Sequence, residues 1–373
     1  MTSPVRIGVA IILAVLVLVV GYRAIVTAGA APVPSMDGLE PREVLRTAPL
    51  EALPFVALAA AGDSTGVEPL ALHRIVARRA PRNLLSRAWL ADYSLGTGQY
   101  TQALDHVDVM LRLSQRAGRE LLPLMVRWAA DPEFADVLVD RLRTDPPWRA
   151  AMLVALGRSV DSPATSTIFA ALRDSGDLQD AERRRWLDAL MRAGHWGRAY
   201  AHWVGSRDRP RGEAIPMLHD GGFDQPVANE AFGWRIGNGS GTYTEIGPTD
   251  GAAGAAARMV FLGRQVAAAN LEQPLLLPPG AYRLRIRMKA QALRSDQGLE
   301  WTLTCNGRKS RPFAKSSRVE GSFDWHQESF EFTVPREQCA GQWLRLENPA
   351  PPGSSSLVSG TLWADDFQLD APP

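Results

Sequence analysis

Cysteine and lysine are scarce in this chain. Two cysteines (Cys305, Cys339) and three lysines (Lys289, Lys309, Lys315) occur among 373 residues. No C-x-x-C spacing is present, so neither a zinc site nor a redox pair is supported. Neither sign of charge is in excess, with 41 basic against 40 acidic residues and a formal net charge of +1. No global field therefore points to nucleic acid or to a strongly anionic partner. Catalytic signatures are missing too: there is no G-x-S-x-G, no H-E-x-x-H and no Gly-rich phosphate loop following a strand. The six histidines are scattered without metal-ligand spacing. These absences point to a non-enzymatic protein. A pair of carboxylates assembled in three dimensions for glycoside chemistry has no sequence signature, so a glycan-processing enzyme stays as an alternative.

What is present begins with a long apolar run. Ile7 to Val20 carries no charge, and Val5 to Tyr22 is interrupted only by Arg6, close to the minimum of about 17–25 residues for a membrane span. Residues 1–28 read as a transmembrane anchor or a signal segment. An uncleaved inner-membrane anchor is the expectation, with cleavage near Ala28-Gly29-Ala30 as the alternative, which would make the protein secreted. Arg6 on the short leading tail places the rest of the chain on the periplasmic or extracytoplasmic side. Two cysteines in one exported domain read as a Cys305–Cys339 disulfide, and two free buried thiols are the alternative.

Residues 29–38 form a small, Pro-containing linker, and helical periodicity dominates from 39 to 206. Setting Pro81 at the end of one helical unit puts Gly98 at the next turn, followed by Tyr100, Ala103, Leu104 and Val107 at second-helix spacing. The same signature recurs at Gly194, Trp196, Ala199, Tyr200 and Trp203, 96 residues further on, close to three units of about 32–34 residues. Breaks at Asp131-Pro132, Pro146-Pro147 and Ser162-Pro163 divide the interval. The pattern resembles a degenerate tetratricopeptide repeat, with Arg87 in the usual Trp position and Ala91 in the usual Gly position. It implies a solenoid that presents a groove to protein partners. An irregular helical domain is the alternative.

Residues 207–222 read as a hinge. From 223 to 371 the chain turns to Gly, Thr, aromatic and β-branched residues at period two, punctuated by Pro278-Pro279-Gly280, Cys305-Asn306-Gly307 and Pro349–Gly353. The fold expectation is therefore multidomain α then β: an N-terminal transmembrane helix, a helical repeat region and a C-terminal antiparallel β-sandwich or jelly roll. In Tyr282–Ala290, residues 282, 284, 286, 288 and 290 share one face, whereas Arg283, Arg285, Arg287 and Lys289 share the other. Guanidinium groups pair with carboxylates in two-point geometry, so this stripe is a candidate platform for an acidic saccharide. A solvated outer face is the plainer reading. Trp343 falls in phase with Arg345 and Glu347 rather than with Leu344 and Leu346, as an aromatic for sugar stacking would. Trp234, Tyr243 and Trp325 are weaker aromatic candidates in expected loops.

The order of features in this region carries a further resemblance. Phe223-Asp224 followed by Trp234, then Leu275–Tyr282, Phe330–Pro335 and Trp363–Leu369 is similar to family 4/9-type carbohydrate-binding modules, over about two-fifths of the chain. That resemblance implies a jelly roll holding a structural calcium, with Asp224 and the pair Asp365, Asp366 at the matching positions. Period two puts Asp365 in phase with Phe367 and Leu369, pointing inward. In architecture the chain resembles membrane-anchored helical-repeat proteins found with bacterial exopolysaccharide machinery. The implied function is an envelope accessory protein that binds polysaccharide through the sandwich and protein partners through the repeats. A protein–protein scaffold whose sandwich binds no sugar is the alternative.

Overall fold

A computed structural model describes residues 40–61, 66–205, 216–237, 239–252, 254–307, 311–352 and 356–371. The apolar segment 1–28, the linker 29–38 and most of the expected hinge lie outside the described residues. Among the described residues no helix is long and apolar enough to cross a membrane. Eleven helices precede ten strands there, and the chain divides into two compact units between Glu182 and Arg183. This division falls earlier than residues 207–222, so the last helical hairpin belongs with the strands.

In the first unit, prolines open the helices Pro69–Arg79, Pro132–Arg143 and Pro163–Asp174, where the missing N–H would have no helical partner. Asn83, Ser114 and Asp131 cap the helices that follow them by accepting backbone N–H bonds. Gly98 adopts φ +72° in the turn between Leu84–Gly96 and Tyr100–Leu113, a conformation that favours glycine. Ala103, Leu104 and Val107 are buried at the helix crossing. Arg87, placed where the repeat pattern has Trp, donates to the Ala77 carbonyl at 3.1 Å and lies 3.1 Å from His106 Nδ1, linking three helices with polar bonds instead of a ring.

The second unit is built on two five-stranded antiparallel sheets. The first has the order β1 (Arg235–Ile236), β4 (Ala268–Leu275), β9 (Gln342–Glu347), β6 (Glu300–Cys305), β7 (Ala314–Lys315). The second has the order β2 (Thr242–Pro248), β3 (Ala255–Gln265), β10 (Leu357–Asp370), β5 (Gly280–Ser295), β8 (Gly321–Val334). Alternation in β5 is as the sequence spacing predicts: Tyr282, Leu284, Ile286, Met288 and Ala290 are buried, and they meet Trp301, Leu303, Leu344 and Leu346 of the first sheet in one apolar core. Cys305 and Cys339 form a disulfide.

The helix Trp196–Gly205 completes this unit. Trp196 packs edge-on against Trp343 and Phe232, and Trp203 packs against His219 and Phe232. Ion pairs from Arg183 to Glu230 and from Asp188 to Arg235 fix the preceding helix to the same loop region.

Candidate functional site

The sequence candidates separate onto the two sheets. Trp343 and Arg345 lie in β9 of the first sheet, and neither is presented to solvent as a sugar platform. Trp343 is 6% exposed, covered by Trp196 and by the Arg235 guanidinium 5.2 Å from its ring centre. Arg345 pairs with Glu272 at 3.3 Å and with Glu347 at 2.9 Å. The polar phase of Trp343 is real, but what it faces is a helix of the same unit. Trp234 is buried as well; its indole N–H donates to the Asp220 carbonyl at 2.8 Å and its ring packs on Phe223 and Phe367.

Asp365 is buried at 2% exposure, as its expected inward position requires, but it does not share the phase of Phe367 and Leu369. Asp366 has φ +49° and the β10–β5 ladder shifts register between Asp365 and Gln368. This bulge adds a residue, so the residues on either side of it keep opposite phases. Phe367 and Leu369 belong to the core, whereas Asp365 stands opposite Arg287 in the β10–β5 ladder and is enclosed there. Its Oδ1 accepts the Asp366 N–H at 2.7 Å. The expected approach of the first loop to the last strand does occur, through a Phe367 N–H bond to the Gly221 carbonyl at 3.0 Å. Asp224 is exposed there and Asp366 accepts a bond from Gln368. Calcium takes six to eight oxygen ligands, and no group of three His, Cys, Asp or Glu side chains able to hold a metal occurs among the described residues. The side chains of Asp224, Asp365 and Asp366 do not by themselves make a calcium donor set.

The outer face of the second sheet gathers the remaining candidates. Arg283, Arg285, Arg287 and Lys289 project from β5 as expected, but the acids around them form a ladder. Arg283 pairs with Glu331, its directly opposite neighbour in β8, Arg285 with Asp370, and Lys289 with Asp324 at 3.5 Å. The Trp325 N–H, then Lys289, hold the Asp324 carboxyl below its ordinary value. Arg287 lies 5.3 Å from the Trp325 ring centre and donates to the Gly251 carbonyl at 2.9 Å. The Trp325 indole N–H donates to the Asp250 backbone carbonyl at 2.9 Å, so a turn lies across the sheet. Gly251 has φ +84°, and a β-carbon there would meet the Trp325 ring at 2.7 Å. The stripe is a charge-balanced surface, which removes the electrostatic reason to expect an acidic saccharide.

One residue on this face was not singled out from the sequence. Trp363 of β10 is partly exposed, with Arg258 of β3 directly opposite on one side and Lys289 of β5 on the other. Arg258 is itself paired with Glu245 of β2 at 2.9 Å. Tyr243 of β2 is 40% exposed and sits opposite Val260. Trp363, Trp325 and Tyr243 therefore share a face with bidentate donors and carboxylate acceptors, the combination that holds a sugar ring by its apolar side and its hydroxyls. A signal was available: Trp363 follows Leu362 and precedes Ala364 at period two, on the polar phase.

No family model matches the chain, and no curated protein matches it. Among solved structures it is similar to a family 4 carbohydrate-binding module, at 16% identity over 42% of this chain and 99% of that one, with a TM-score of 0.33. It is also similar to the family 22 xylan-binding domain of a Paenibacillus barcinonensis protein, at 14% identity over 42% of this chain and 96% of that one, TM-score 0.28. A family 61 module solved with β-1,4-galactotriose gives 15% identity, 43% of this chain, 100% of that one and a TM-score of 0.27. Likeness at this level transfers neither a ligand nor site residues to this chain.

Proposed function

We propose that this protein is a non-enzymatic accessory protein of the cell envelope, acting in exopolysaccharide biosynthesis or export, whose sandwich binds polysaccharide through the outer face of the β2–β3–β10–β5–β8 sheet. The observation that carries this reading is Trp363, an indole partly open to solvent between Arg258 and Lys289. Trp325 and Tyr243 extend the aromatic surface, and the surrounding ion pairs supply hydrogen-bonding groups without net charge. The ligand is accordingly a neutral or weakly charged glycan. The apolar run at residues 7–20 supports an envelope location, and the disulfide is compatible with an oxidising compartment. The helical unit takes protein partners in this reading.

The full chain, titrated with neutral and acidic polysaccharides at low and moderate salt, is expected to bind neutral glycans with little salt dependence. Trp363→Ala is expected to lower affinity by about tenfold or more, the range of a buried aromatic anchor. Absence of binding to every glycan at low salt would overturn the reading. That result would leave a protein scaffold, the second reading, which the exposed Tyr243, Leu262 and Leu357 on this same sheet favour.

A further inference from the structure

Sheet edges carry unpaired backbone groups, and of the four edges in the strand unit three are short. The first sheet ends on β1 and β7, of two residues each, and the second ends on one side at β2, seven residues closing on Pro248. Short edge strands and proline are common devices against pairing with another chain. The fourth edge has neither. It is β8, 14 residues without proline or lysine. Its ladder with β5 shifts register between Met288 and Ala290 and again between Ala290 and Leu293, which irregularises only the first part of β8. From His326, opposite Met288, to Val334, opposite Gly280, nine residues pair in unbroken succession. Among the described residues no backbone hydrogen bond reaches the far edge of this stretch.

The side chains of β8 narrow the choice of a further strand. Backbone groups on the far edge belong to every second residue, so two copies of β8 paired antiparallel must match residues of like parity. That condition puts the two-fold axis on a residue. An axis at Glu328 or at Glu331 would set identical carboxylates directly against each other, which is unfavourable. An axis at Ser329 would set Gln327 against Glu331 and His326 against Phe332. An axis at Phe330 pairs that ring with its own copy, Ser329 with Glu331, Glu328 with Phe332 and Gln327 with Thr333. Phe330 is also the midpoint of 326–334, so only this axis matches the whole regular stretch end to end. The two glutamates thus discourage indiscriminate pairing and leave one register that avoids like charges and uses every residue.

We propose that two copies of this chain associate antiparallel through β8, on a two-fold axis at Phe330, making one continuous sheet with five strands from each copy. Nine paired residues on each side are few against the roughly 20–30 of a standard interface. The dimer therefore belongs to the weak, reversible class, with a dissociation constant in the micromolar range or above. Paired residues of a sheet point to the same side, so the axis is perpendicular to the sheet and both Trp363 residues face the same way. A dimer would thus present two glycan platforms together and gain avidity for a long polymer. This consequence rests on the polysaccharide reading, whereas the pairing itself does not.

The test is sedimentation velocity of the full chain in detergent, over a series from low to high micromolar protein. Gln327 and Thr333 are exposed and meet twice in the proposed dimer. Gln327→Glu/Thr333→Glu sets like charges opposite each other, whereas Gln327→Glu/Thr333→Lys sets opposite charges there. The wild type is expected to dimerise reversibly, and the dissociation constants of the two variants to differ by about tenfold or more, the Glu/Glu protein being the weaker. Thermal melts check that both variants fold. A wild type that stays monomeric throughout the series would overturn the proposal. Equal dimerisation of all three proteins would also overturn it, placing the contact elsewhere, the apolar run at residues 7–20 included. Equal weakening of both variants would reject the axis at Phe330, because at Ser329 the introduced Glu would face Glu331 in each. Glycan binding is not read in this experiment, so its failure and that of the polysaccharide reading are separate results.

Discussion

Trp196 meets Trp343 edge to face, with ring centroids 6.0 Å apart and planes at 81°. Gly341 lies directly under the Trp196 ring, where an added β-carbon would come within 2.0 Å of indole carbons. The helix Trp196–Gly205 is therefore keyed into the strand unit through one glycine and two tryptophans. Trp196→Ala is expected to destabilise this unit by about 3–5 kcal/mol, the range for emptying a buried tryptophan site. Gly341→Val is expected to be at least as damaging, because the ring has no space to retreat into. Trp343→Phe keeps an aromatic in the contact and is expected to leave glycan affinity unchanged, whereas Trp363→Ala lowers it. Melting temperature and titration measured on the same samples separate the two effects. A loss of glycan affinity in a well-folded Trp343→Phe protein would return the site to the first sheet.

Much of the architecture was legible because it follows from periodicity. The period-two run through Tyr282–Ala290 correctly divides core from surface, and Pro132, Pro163, Gly98 and Gly194 stand where helices start or turn. The errors arise where a pattern specifies a face but not what lies against it. Trp343 sits on the polar phase of β9, yet a helix more than a hundred residues earlier covers that phase. Asp365 shares the phase of Phe367 and Leu369 only if the strand is regular, and the left-handed Asp366 makes it irregular. The cationic stripe on β5 is a stripe, but its neutralising acids come from β8 and β10. Lateral strand neighbours are not contained in a single-strand pattern.

A buried ion pair organises the first unit. Arg149 and Glu182 are almost fully enclosed, with two-point bonds of 2.9 and 2.8 Å, and Arg149 also donates to the Leu142 and Asp177 carbonyls. Breaking such a pair from one side strands a charge away from water, at about 3–5 kcal/mol. Arg149→Met is expected to lower the unfolding free energy obtained from urea titration by that amount. Arg149→Met/Glu182→Leu is expected to recover much of the loss, since no lone charge is left. A double variant as unstable as the single one would show that the carbonyl bonds of Arg149, rather than its charge pairing, hold the helices.

The disulfide fastens the strand ends next to the Trp196 notch. Cys305 and Cys339 are 34 residues apart in sequence, and between them Asn306 donates its N–H to the Gly341 carbonyl at 2.8 Å and accepts the Ala340 N–H at 2.7 Å. Closing a loop of this length restricts the unfolded chain by about 3–4 kcal/mol in the chain-entropy description. Reductant is expected to lower the melting temperature of the wild type and to leave Cys305→Ser/Cys339→Ser unaffected. Equal sensitivity of both proteins would mean that the effect of reductant lies elsewhere.

Acid is expected to loosen the first unit in a defined window. Burial pushes His73 down to about 4 from its ordinary 6.5; its Nδ1 lies 3.1 Å from Ser86 Oγ and its ring stacks on Trp89 at 4.4 Å. The unfolded chain takes up the His73 proton below pH 6.5, whereas the folded chain resists until about pH 4, so stability falls as pH drops through that interval. His106 is lowered too, by burial and then by Arg87, and adds to the same slope. Asp92 is raised by burial and works in the opposite sense, favouring the folded state as it becomes protonated. His73→Phe keeps a ring against Trp89 and removes the proton site. Urea unfolding between pH 7 and 4 is therefore expected to show a shallower loss of stability for His73→Phe than for the wild type. Parallel curves for the two proteins would mean that His73 is protonated in the folded unit and that its stacking on Trp89 tolerates the charge.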